Sequence, residues 1–580
     1  MKIKLLKLYS DPEVFKPITF NDGINLIMGE KVSDGNIKKA NKTNGVGKTL
    51  CVEFINYCLL KTTTHCRVNK IPIENLPEDV WIILDMEINL QKMQIKRKRK
   101  SPENPIITAN GVETEFSNLD DAQKYLKELL FKDFDTNTNI SFREFLAPFL
   151  REEGSEFKDI LMCFENTSKI PPSVKANAFL FNIDTTLIDL IKRDFGDIKK
   201  LKSHKTELKN ILTEKGKKKL SDIKATINSL KDDLNKIDLA LESFKTNQAF
   251  EVQQDNLSNF QNEIESLRNK QSALKYQLKK ISSFPELESI SEREIEIVYN
   301  QFKSGLGNIV AKSIEEVKKF KQKIDDFQNR LFNEKISSLS DELRNTTQQV
   351  NTLEEKRAEL IKIIDQKGVL KDIKNGYAIF HKKKEDYSSI SSRYEDYEKS
   401  ENRIKSLILE KDGYFLKLDS LILEAKDIIE NFNETILSIH EYIMDSNKAS
   451  FDIKTVSNSQ SEQVLQFEMR IDDDGSHSVN RTKVFIYDLA LMFNDFTSKR
   501  HPKLLVHDNI FDVDQDTLIK SLNYLVKSEN TDFQYILTLN RDKVENEEKI
   551  KALQLDIELH KVANFTKQNR FLFGDGYSEI

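Results

Sequence analysis

The spacing of apolar residues changes twice along this chain of 580 residues. Up to about residue 190, short alternating and continuous apolar runs are mixed, and this texture returns after about residue 448. Between them, apolar residues recur at alternating steps of three and four, in a narrow stripe flanked by charges. Such a stripe is typical of coiled coils, because a helix buried in a globular core shows a wider apolar face. The pattern predicts two α/β segments separated by a long coiled coil.

The coiled-coil region divides into two arms of similar length. We predict an outgoing arm over residues 195–283, a helical turnaround over 284–335 and a returning arm over 336–447. Each arm has one break in its apolar repeat, at Lys245–Asn256 and at Asp365–Gly376. An antiparallel hairpin would bring the two breaks side by side, as a single elbow.

The two α/β segments, residues 1–190 and 448–580, contain alternating strand and helix patterns. Asn110-Gly111 lies between two short apolar runs and predicts a hairpin turn. The predicted strands are Lys2–Tyr9, Ile24–Met28, Val80–Ile88, Gln91–Arg97, Ile106–Ala109, Val112–Phe116, Phe451–Val456, Val464–Ile471, Lys503–Val506 and Gln534–Leu539. The predicted helices are Leu50–Leu60, Asp120–Leu130, Ile140–Leu150, Thr482–Asp495 and Asp516–Lys527.

A glycine-rich stretch lies between the strand Ile24–Met28 and the helix that follows it. It reads Asn44, Gly45, Val46, Gly47, Lys48, Thr49 and Leu50. Glycines let backbone N–H groups turn toward phosphates, the lysine reaches the β- and γ-phosphates, and the threonine hydroxyl ligates Mg²⁺. The start of a helix adds a favourable dipole for the anion. These residues predict a site for ATP and Mg²⁺.

One glycine of the full phosphate-loop motif is missing, because Lys42 stands at its position. Gly29, which ends the preceding strand, is the candidate for that glycine. The polar insert Lys31–Thr43 would then form a loop over the nucleotide. The alternative is a chance match in a lysine-rich chain, which the strand before and the helix after make less favourable.

A second strand ends in a carboxylate far along the chain. The run Leu504-Leu505-Val506 is followed by His507, Asp508 and Asn509. A phosphate-bound Mg²⁺ requires a nearby carboxylate, so we predict that Thr49 and Asp508 are its protein ligands. Many buried strands end near an acidic residue, so this pattern alone is weak evidence for a Mg²⁺ ligand. The phosphate loop in the other α/β segment makes the interpretation stronger.

Composition limits the class of protein. The net charge is −5 with 32% charged residues, which excludes a globally basic nucleic-acid binder but allows local patches. The four cysteines form no C-x-x-C pair, which argues against disulfides and a zinc site. The first residues resemble a strand and not a signal peptide, and no apolar run reaches membrane-spanning length. We expect a cytoplasmic protein.

The order of these features resembles the SMC-like ABC ATPases of chromosome maintenance and break repair. The resemblance covers the whole chain: a lobe with the phosphate loop, a coiled-coil hairpin, and a lobe with the Asp508 strand. It implies an α/β fold with a split ABC-type P-loop head and a long antiparallel coiled-coil insertion. It also implies ATP and Mg²⁺ as cofactors and a homodimer engaged through ATP-bound heads.

Matched by position, several family residues are replaced here. Asn509 stands where the family has its catalytic glutamate, and Asn540 stands at the switch histidine. The signature loop, before a helix starting near Thr482, lacks paired glycines, but its Ser478 and Asn480 could contact the γ-phosphate of a partner's ATP. The glutamine loop is assigned to Ser141-Phe142-Arg143-Glu144, which contains no glutamine. These departures resemble a bacterial branch with a C-terminal domain of unknown function, often found in multi-gene defence operons.

Asparagine cannot accept a proton from water, so Asn509 leaves the rate of hydrolysis open. Asp512, Asp514 or His507 could substitute, turnover could be slow, or the head could bind ATP without hydrolysis. We retain three functional hypotheses. They are an ATP-gated enzyme that senses or clamps DNA in defence against phage or plasmids, a DNA-repair or chromosome-maintenance ATPase, and a non-catalytic scaffold that recruits an effector.

Two basic patches are candidates for sequence-independent contact with double-stranded DNA. One is Lys92 with the run Lys96–Lys100, on a strand and its exit. The other lies near the root of the outgoing arm and comprises Lys199, Lys200, Lys202, Lys205, Lys209, Lys215, Lys217, Lys218 and Lys219. Lysine and arginine neutralise phosphates without reading sequence, but lysines on a coiled coil are usually only solvated. No nuclease constellation is evident, so DNA cleavage would require a separate effector or nuclease subunit.

Overall fold

The computed structural model describes residues 1–31, 45–134, 139–164, 174–245, 254–282, 314–364, 369–457, 463–472, 475–529, 531–544 and 551–574. The chain forms two compact units. The first, here called the head, comprises Met1–Phe195 and Glu410–Ile580, and the second is drawn from the chain between them. The predicted fold class is confirmed: an α/β unit is split in sequence by a helical insertion. No helix among these residues is long and apolar enough to cross a bilayer.

The N-terminal part of the head contains a six-stranded antiparallel sheet of order β2-β1-β4-β5-β6-β7. Asn110 and Gly111 have φ of 51° and 78°, the left-handed conformations that the predicted hairpin turn requires. The elements in chain order are β1 Ile3–Asp11, β2 Ile18–Thr19, β3 Gly23–Gly29, α1 Lys48–Cys58, β4 Trp81–Ile88, β5 Gln91–Lys98, β6 Ile106–Ala109, β7 Val112–Glu115, α2 Leu119–Leu130, α3 Phe142–Leu146, β8 Leu150–Arg151 and α4 Val174–Leu180.

The insertion consists of long helices. These are α5 Thr185–Leu212, α6 Leu220–Lys245, α7 Gln254–Ser282, α8 Ile314–Ile364 and α9 Val369–Glu424. Lys205 pairs with Glu401, and Arg268, farther along the outgoing helices, pairs with Glu354, which comes earlier in the returning ones. This order of pairing is the one that antiparallel helices require. Gln271, which interrupts the apolar repeat, donates a 2.8 Å hydrogen bond from its amide to the Thr347 hydroxyl of the facing helix. A polar pair at a seam position favours one register over others.

Three boundaries in the insertion differ from the prediction. The outgoing arm is interrupted at 213–219, where Lys215 and Gly216 have φ of 58° and 90° and end α5. Helix α8 begins at Ile314, so the predicted turnaround to 335 is partly helix of the returning arm. Gly376 lies within α9, and half of the residues of the predicted elbow, 246–253 and 365–368, lie outside the described residues. An apolar repeat alone does not show where glycine ends a helix or is accommodated within one.

The C-terminal lobe begins earlier than the predicted residue 448. Helix α10, Lys426–Met444, buries Phe432, Ile436 and Ile439 in the core of the head, so its apolar repeat reflects packing within the head and not a coiled-coil seam. The remaining elements are β9 Ser450–Thr455, β10 Leu465–Arg470, α11 His477–Phe493, β11 Leu504–His507, α12 Gln515–Lys527, β12 Gln534–Asn540, α13 Ile557–His560 and β13 Lys561–Phe565.

Both lobes contribute to a second, five-stranded sheet of order β13-β3-β12-β11-β8. Every pairing in it is parallel, so the carboxyl ends of all strands lie at one edge. Strand β8 was not predicted, because the expected helix Ile140–Leu150 ends at Leu146 and Leu150 begins the strand instead. This sheet edge brings together residues more than three hundred positions apart in the chain.

Candidate functional site

The phosphate-loop stretch lies at the carboxyl edge of the parallel sheet and leads into α1. Gly45 and Gly47 have φ of 71° and 105°, which L-residues with side chains rarely adopt. A Cβ on Gly47 would also lie 2.5 Å from Cβ of Phe571. Val46 and Leu50 are buried in the core and fix the turn. Gly29 ends β3 as predicted, whereas Asn44 lies outside the described residues.

Lys48 points to the neighbouring strand end. Its Nζ donates a 2.5 Å hydrogen bond to Oδ1 of Asn540, the last residue of β12. Burial lowers the pKa of Lys48, and the carboxylates of Asp508 and Glu153 oppose this effect. The predicted phosphate lysine and the residue at the switch position are therefore in direct contact.

Asp508 follows β11 and lies beside Thr49. Its Oδ1 accepts a 2.9 Å hydrogen bond from the Thr538 hydroxyl. Burial and the nearby charge of Glu153 raise the pKa of Asp508 to about 6, although hydrogen bonds from Thr538 and Thr49 lower it. The two residues predicted to ligate Mg²⁺ are thus close together, although they lie on different lobes.

Glu153 is a member of this cluster that the sequence pattern did not identify. Its Oε2 accepts a 3.3 Å hydrogen bond from the Thr49 hydroxyl, and its Oε1 accepts a 2.6 Å hydrogen bond from Nδ2 of Asn509. It follows the two-residue strand β8, whose first residue was predicted as the end of a helix. The available signal was the acidic pair Glu152-Glu153, which follows an apolar run after one intervening residue, as Asp508 does.

Asn509 is held through its backbone N–H, its carbonyl and its side-chain nitrogen. Its φ of 60° is left-handed, a conformation that asparagine tolerates better than most residues. Its backbone N–H donates to the Thr538 hydroxyl at 2.8 Å, and its carbonyl accepts a 2.6 Å hydrogen bond from the Arg481 guanidinium. With the side-chain bond to Glu153, these contacts fix the amide beside the acid.

The substitutes proposed for a catalytic glutamate are engaged elsewhere. His507 is fully buried, and its ring nitrogens contact the Tyr535 hydroxyl at 2.9 Å and Asp488 at 2.8 Å. Successive strand residues point to opposite faces, so a strand that presents Asp508 to the site turns His507 away. The prediction of His507 as catalytic is therefore wrong. Asp514 caps α12 by accepting from the Thr517 N–H at 2.9 Å, and Asp512 pairs with Lys543 at 2.9 Å.

The predicted glutamine loop is also misplaced. Ser141 caps α3, and Arg143 points inward to donate a 3.1 Å hydrogen bond to the Leu59 carbonyl. The position next to the site belongs to Glu153. The signature-like residues Ser478 and Asn480 lie in the first turn of α11, which starts at His477 and not near Thr482. Ser476 caps this helix and accepts a 3.2 Å hydrogen bond from the Val479 N–H, and Ser478 is exposed.

The two arginines of the basic run Lys96–Lys100 are structural. Arg97 is fully buried and donates 3.0 Å hydrogen bonds to the carbonyls of Pro102 and Lys61. Arg99 donates a 2.9 Å hydrogen bond to the Asn69 carbonyl. A strand alternates its faces, so half of a charged run must point into the head and find partners there. Arg97 and Arg99 are therefore not available for DNA, whereas contact of DNA with the lysines of this patch stays a prediction.

The pair of Thr49 and Asp508 fits Mg²⁺. It offers a hydroxyl and a carboxylate, the hard oxygen donors that this ion prefers. The raised pKa of Asp508 reflects burial and repulsion by the nearby Glu153, and a divalent cation bound by Asp508 would relieve that repulsion. The described residues contain no group of three or more His, Cys, Asp or Glu suited to a metal. Phosphate oxygens and water would therefore complete the coordination.

Comparison with known proteins yields one family match and distant structural likenesses. Residues 434–574 match a family described as "Uncharacterised protein conserved in bacteria (DUF2326)", whereas no curated protein matches the chain. The chain is similar to an Smc head domain with a coiled coil and joint from Pyrococcus yayanosii, at 14% identity over 95% of this chain and 94% of that one, with a TM-score of 0.33. An Smc head domain with an extended coiled coil, bound to the C-terminal domain of ScpA, from Pyrococcus furiosus shows 11% identity over 95% and 92%, with a TM-score of 0.33. Conclusions about activity therefore rest on the site itself.

Proposed function

We propose that this protein is an SMC-like ATPase that binds ATP and Mg²⁺ at the carboxyl edge of the composite sheet. The observation that carries the proposal is the convergence of Lys48 and Thr49 from one lobe with Asp508 from the other. Backbone N–H groups of the glycine turn and the α1 N-terminus would bind the phosphates, and Lys48 would exchange Asn540 for them. Thr49 and Asp508 would hold Mg²⁺, which neutralises phosphate charge when bound.

Hydrolysis requires a group that accepts a proton from the attacking water, and we assign this role to Glu153. The water oxygen attacks the γ-phosphorus, the bond from that phosphorus to the β–γ bridging oxygen breaks, and ADP leaves with the bonding electrons. The proton of the water passes to the Glu153 carboxylate. Asn509 cannot accept it, but its amide N–H fixes one carboxylate oxygen at 2.6 Å and so orients the acid.

A phosphate-release assay on the full chain tests this assignment. Glu153→Gln keeps the shape of the side chain but removes its charge and its ability to accept a proton from water, so we expect ATP binding to persist and turnover to fall about 10²-fold or more. Glu156→Gln is the matched control, because Glu156 is an exposed glutamate nearby in the chain that pairs with Lys158 on the surface. Equal rates for the wild type and Glu153→Gln would reject the role of Glu153. No phosphate release from the wild type, with ATP still bound, would instead favour the non-hydrolysing scaffold.

We further propose that two heads enclose ATP between them. Ser478 and Asn480 support this, because the exposed first turn of α11 can meet the phosphates of a second head. ATP-dependent dimerisation measured by light scattering tests it, with Ser478→Arg expected to prevent association without weakening ATP binding. A dimer of the same strength with and without ATP would contradict the proposal.

The proposed biological role is sensing or clamping of double-stranded DNA in defence against phage or plasmids, within the cytoplasm and together with a separate effector. The exposed lysines near the start of the outgoing arm support DNA contact. DNA repair or chromosome maintenance is the alternative use of the same chemistry. The genes adjacent to this one discriminate the two, because a defence system would encode the effector beside the ATPase.

A further inference from the structure

The C-terminal end of the described chain lies against the phosphate loop. Strand β13 pairs in parallel with β3, and Phe565 lies beside Gly29. The carboxyl end of β13 therefore reaches the same sheet edge as the strand that leads into the loop. A turn follows, in which the Thr566 N–H donates to the Asn569 carbonyl at 2.9 Å. The turn redirects residues 566–573 across the front of the glycine-rich stretch.

Phe571 anchors this segment to the loop. Its N–H donates a 3.1 Å hydrogen bond to the Val46 carbonyl. Its ring stacks on Phe15 at a centroid distance of 4.6 Å and meets the edge of Phe54 at 5.1 Å. The close approach of Phe571 to Gly47 leaves no room for a side chain there. A segment held by both backbone and core contacts has a fixed position relative to the nucleotide site.

The turn carries Lys567 to the start of the phosphate loop. Its Nζ lies 3.5 Å from the Gly45 carbonyl oxygen. Its charge is also close enough to Lys48 to contribute to the lowering of the Lys48 pKa. The first turn of α1, which starts beside these lysines, contains no acidic residue. Two ammonium groups and a helix N-terminus thus converge on one place, an arrangement that an anion with several charges stabilises.

We propose that Lys567 is a second phosphate-binding lysine, supplied to the nucleotide site by the C-terminal segment of the same head. The inference rests on the proposed function, since it takes the anion to be the phosphate chain of ATP. Lys48 approaches from the helix that follows the loop, and Lys567 approaches from β13 on the other side of β3. The two lysines would therefore contact the phosphate chain from two sides, and the affinity of the site for a nucleotide would depend on its number of phosphates.

Equilibrium titration of the full chain with ATP, ADP and AMP tests the inference. Lys567→Met removes a charged hydrogen bond to the phosphates, so it should weaken ATP binding about tenfold and AMP binding by less. Lys567→Arg should restore most of the affinity. Lys520→Met is the control, because Lys520 pairs on the surface with Asp445. ATP affinities of the Lys567→Met and Lys520→Met variants within a factor of about two would overturn the proposal.

A footprinting experiment on the wild-type protein tests the same contact without a variant, so its result does not depend on whether a variant folds. Acetylation of Lys567, followed by mass spectrometry, should slow when ATP or inorganic triphosphate is added, whereas acetylation of Lys520 should not change. Equal protection by AMP would overturn contact with the β- and γ-phosphates and indicate the α-phosphate, the ribose or the base. Wild-type protein that binds no ATP would reject the proposed function. ATP binding by the wild type that is lost in Lys48→Ala but retained in Lys567→Met would reject only the role of Lys567.

Discussion

The Asn509 side chain donates a 2.6 Å hydrogen bond to the carboxylate of Glu153. The two residues come from different lobes and follow adjacent parallel strands, β11 and β8. In the proposed reaction, Asn509 stands where the SMC-like ATPases that this chain resembles have a glutamate, and an acid from the neighbouring strand lies in contact with it. The proposed general base, Glu153, would thus come from the N-terminal lobe.

Asp508 should make the empty head less stable at neutral pH. Its pKa is raised from 3.8 to about 6, so the folded head binds a proton more tightly than the unfolded chain does. The resulting contribution to the free energy of unfolding is complete below about pH 4 and is lost as the pH rises through 6. Asp508→Asn removes the buried charge and should raise the free energy of unfolding at pH 7 by about 1–3 kcal/mol. Urea unfolding at pH 4 and pH 7 measures this. The same variant should lose Mg²⁺-dependent ATP binding.

A difference between wild type and Asp508→Asn that is the same at both pH values would contradict this explanation. Asp516→Asn is the control, because Asp516 lies in the first turn of α12 and shows no such burial. Its substitution shows the effect on stability of removing one exposed negative charge.

Arg97 should be required for stability and not for DNA binding. Its guanidinium is fully buried and donates to backbone carbonyls, and it lies 4.0 Å from the centre of the Tyr57 ring. Arg97→Ala leaves those carbonyls unpaired, so we expect a loss of about 3 kcal/mol in urea unfolding. Lys96→Ala, whose partner Glu113 is exposed, should cost less than about 1 kcal/mol. A stable Arg97→Ala protein with weakened DNA binding would restore the original interpretation of this run.

Asn509→Glu should not increase turnover. The residue has a φ of 60°, and a second carboxylate would lie next to Glu153, where like charges repel. We expect slower phosphate release and a lower melting temperature. Asn509→Gly, which accepts the backbone conformation, should retain more stability than the glutamate variant. Faster hydrolysis by Asn509→Glu would mean that the missing glutamate, and not Glu153, limits the reaction.

DNA binding should depend on the lysines that interrupt the outgoing arm. Lys215, Lys217, Lys218 and Lys219 are exposed in the interruption between α5 and α6. Substitution of all four by glutamate should weaken the binding of duplex DNA and leave ATP affinity unchanged. The slope of the logarithm of the DNA-binding constant against the logarithm of salt concentration should become less steep by roughly 0.9 for each phosphate that is no longer neutralised. Reversal of the exposed Lys224, Lys231, Lys236 and Lys275 is a control of equal charge. Equal weakening in both variants would indicate only net charge.

The sequence was most informative where a pattern extended over many residues. The coiled coil and the phosphate loop were predicted, because an apolar repeat and a glycine-lysine-threonine turn are local signals. Glu153 was missed because the preceding strand β8 has only two residues and is a strand only through its pairing with β11. The roles of Arg97 and His507 also depend on which face of a strand meets the core. That face is set by tertiary packing, which no local pattern encodes.

Equilibrium binding of Mg²⁺-ATP to the full chain, measured by calorimetry, tests the composite site most directly. The wild type should bind one ATP per chain. Lys48→Ala, which removes the ammonium group aimed at the phosphates, should bind no measurable ATP, and Asp508→Ala should lose the Mg²⁺ dependence of binding. Lys520→Ala, a substitution on the surface of the head, should behave as the wild type. Unchanged ATP affinity in Lys48→Ala would contradict the assignment of this sheet edge as a nucleotide site.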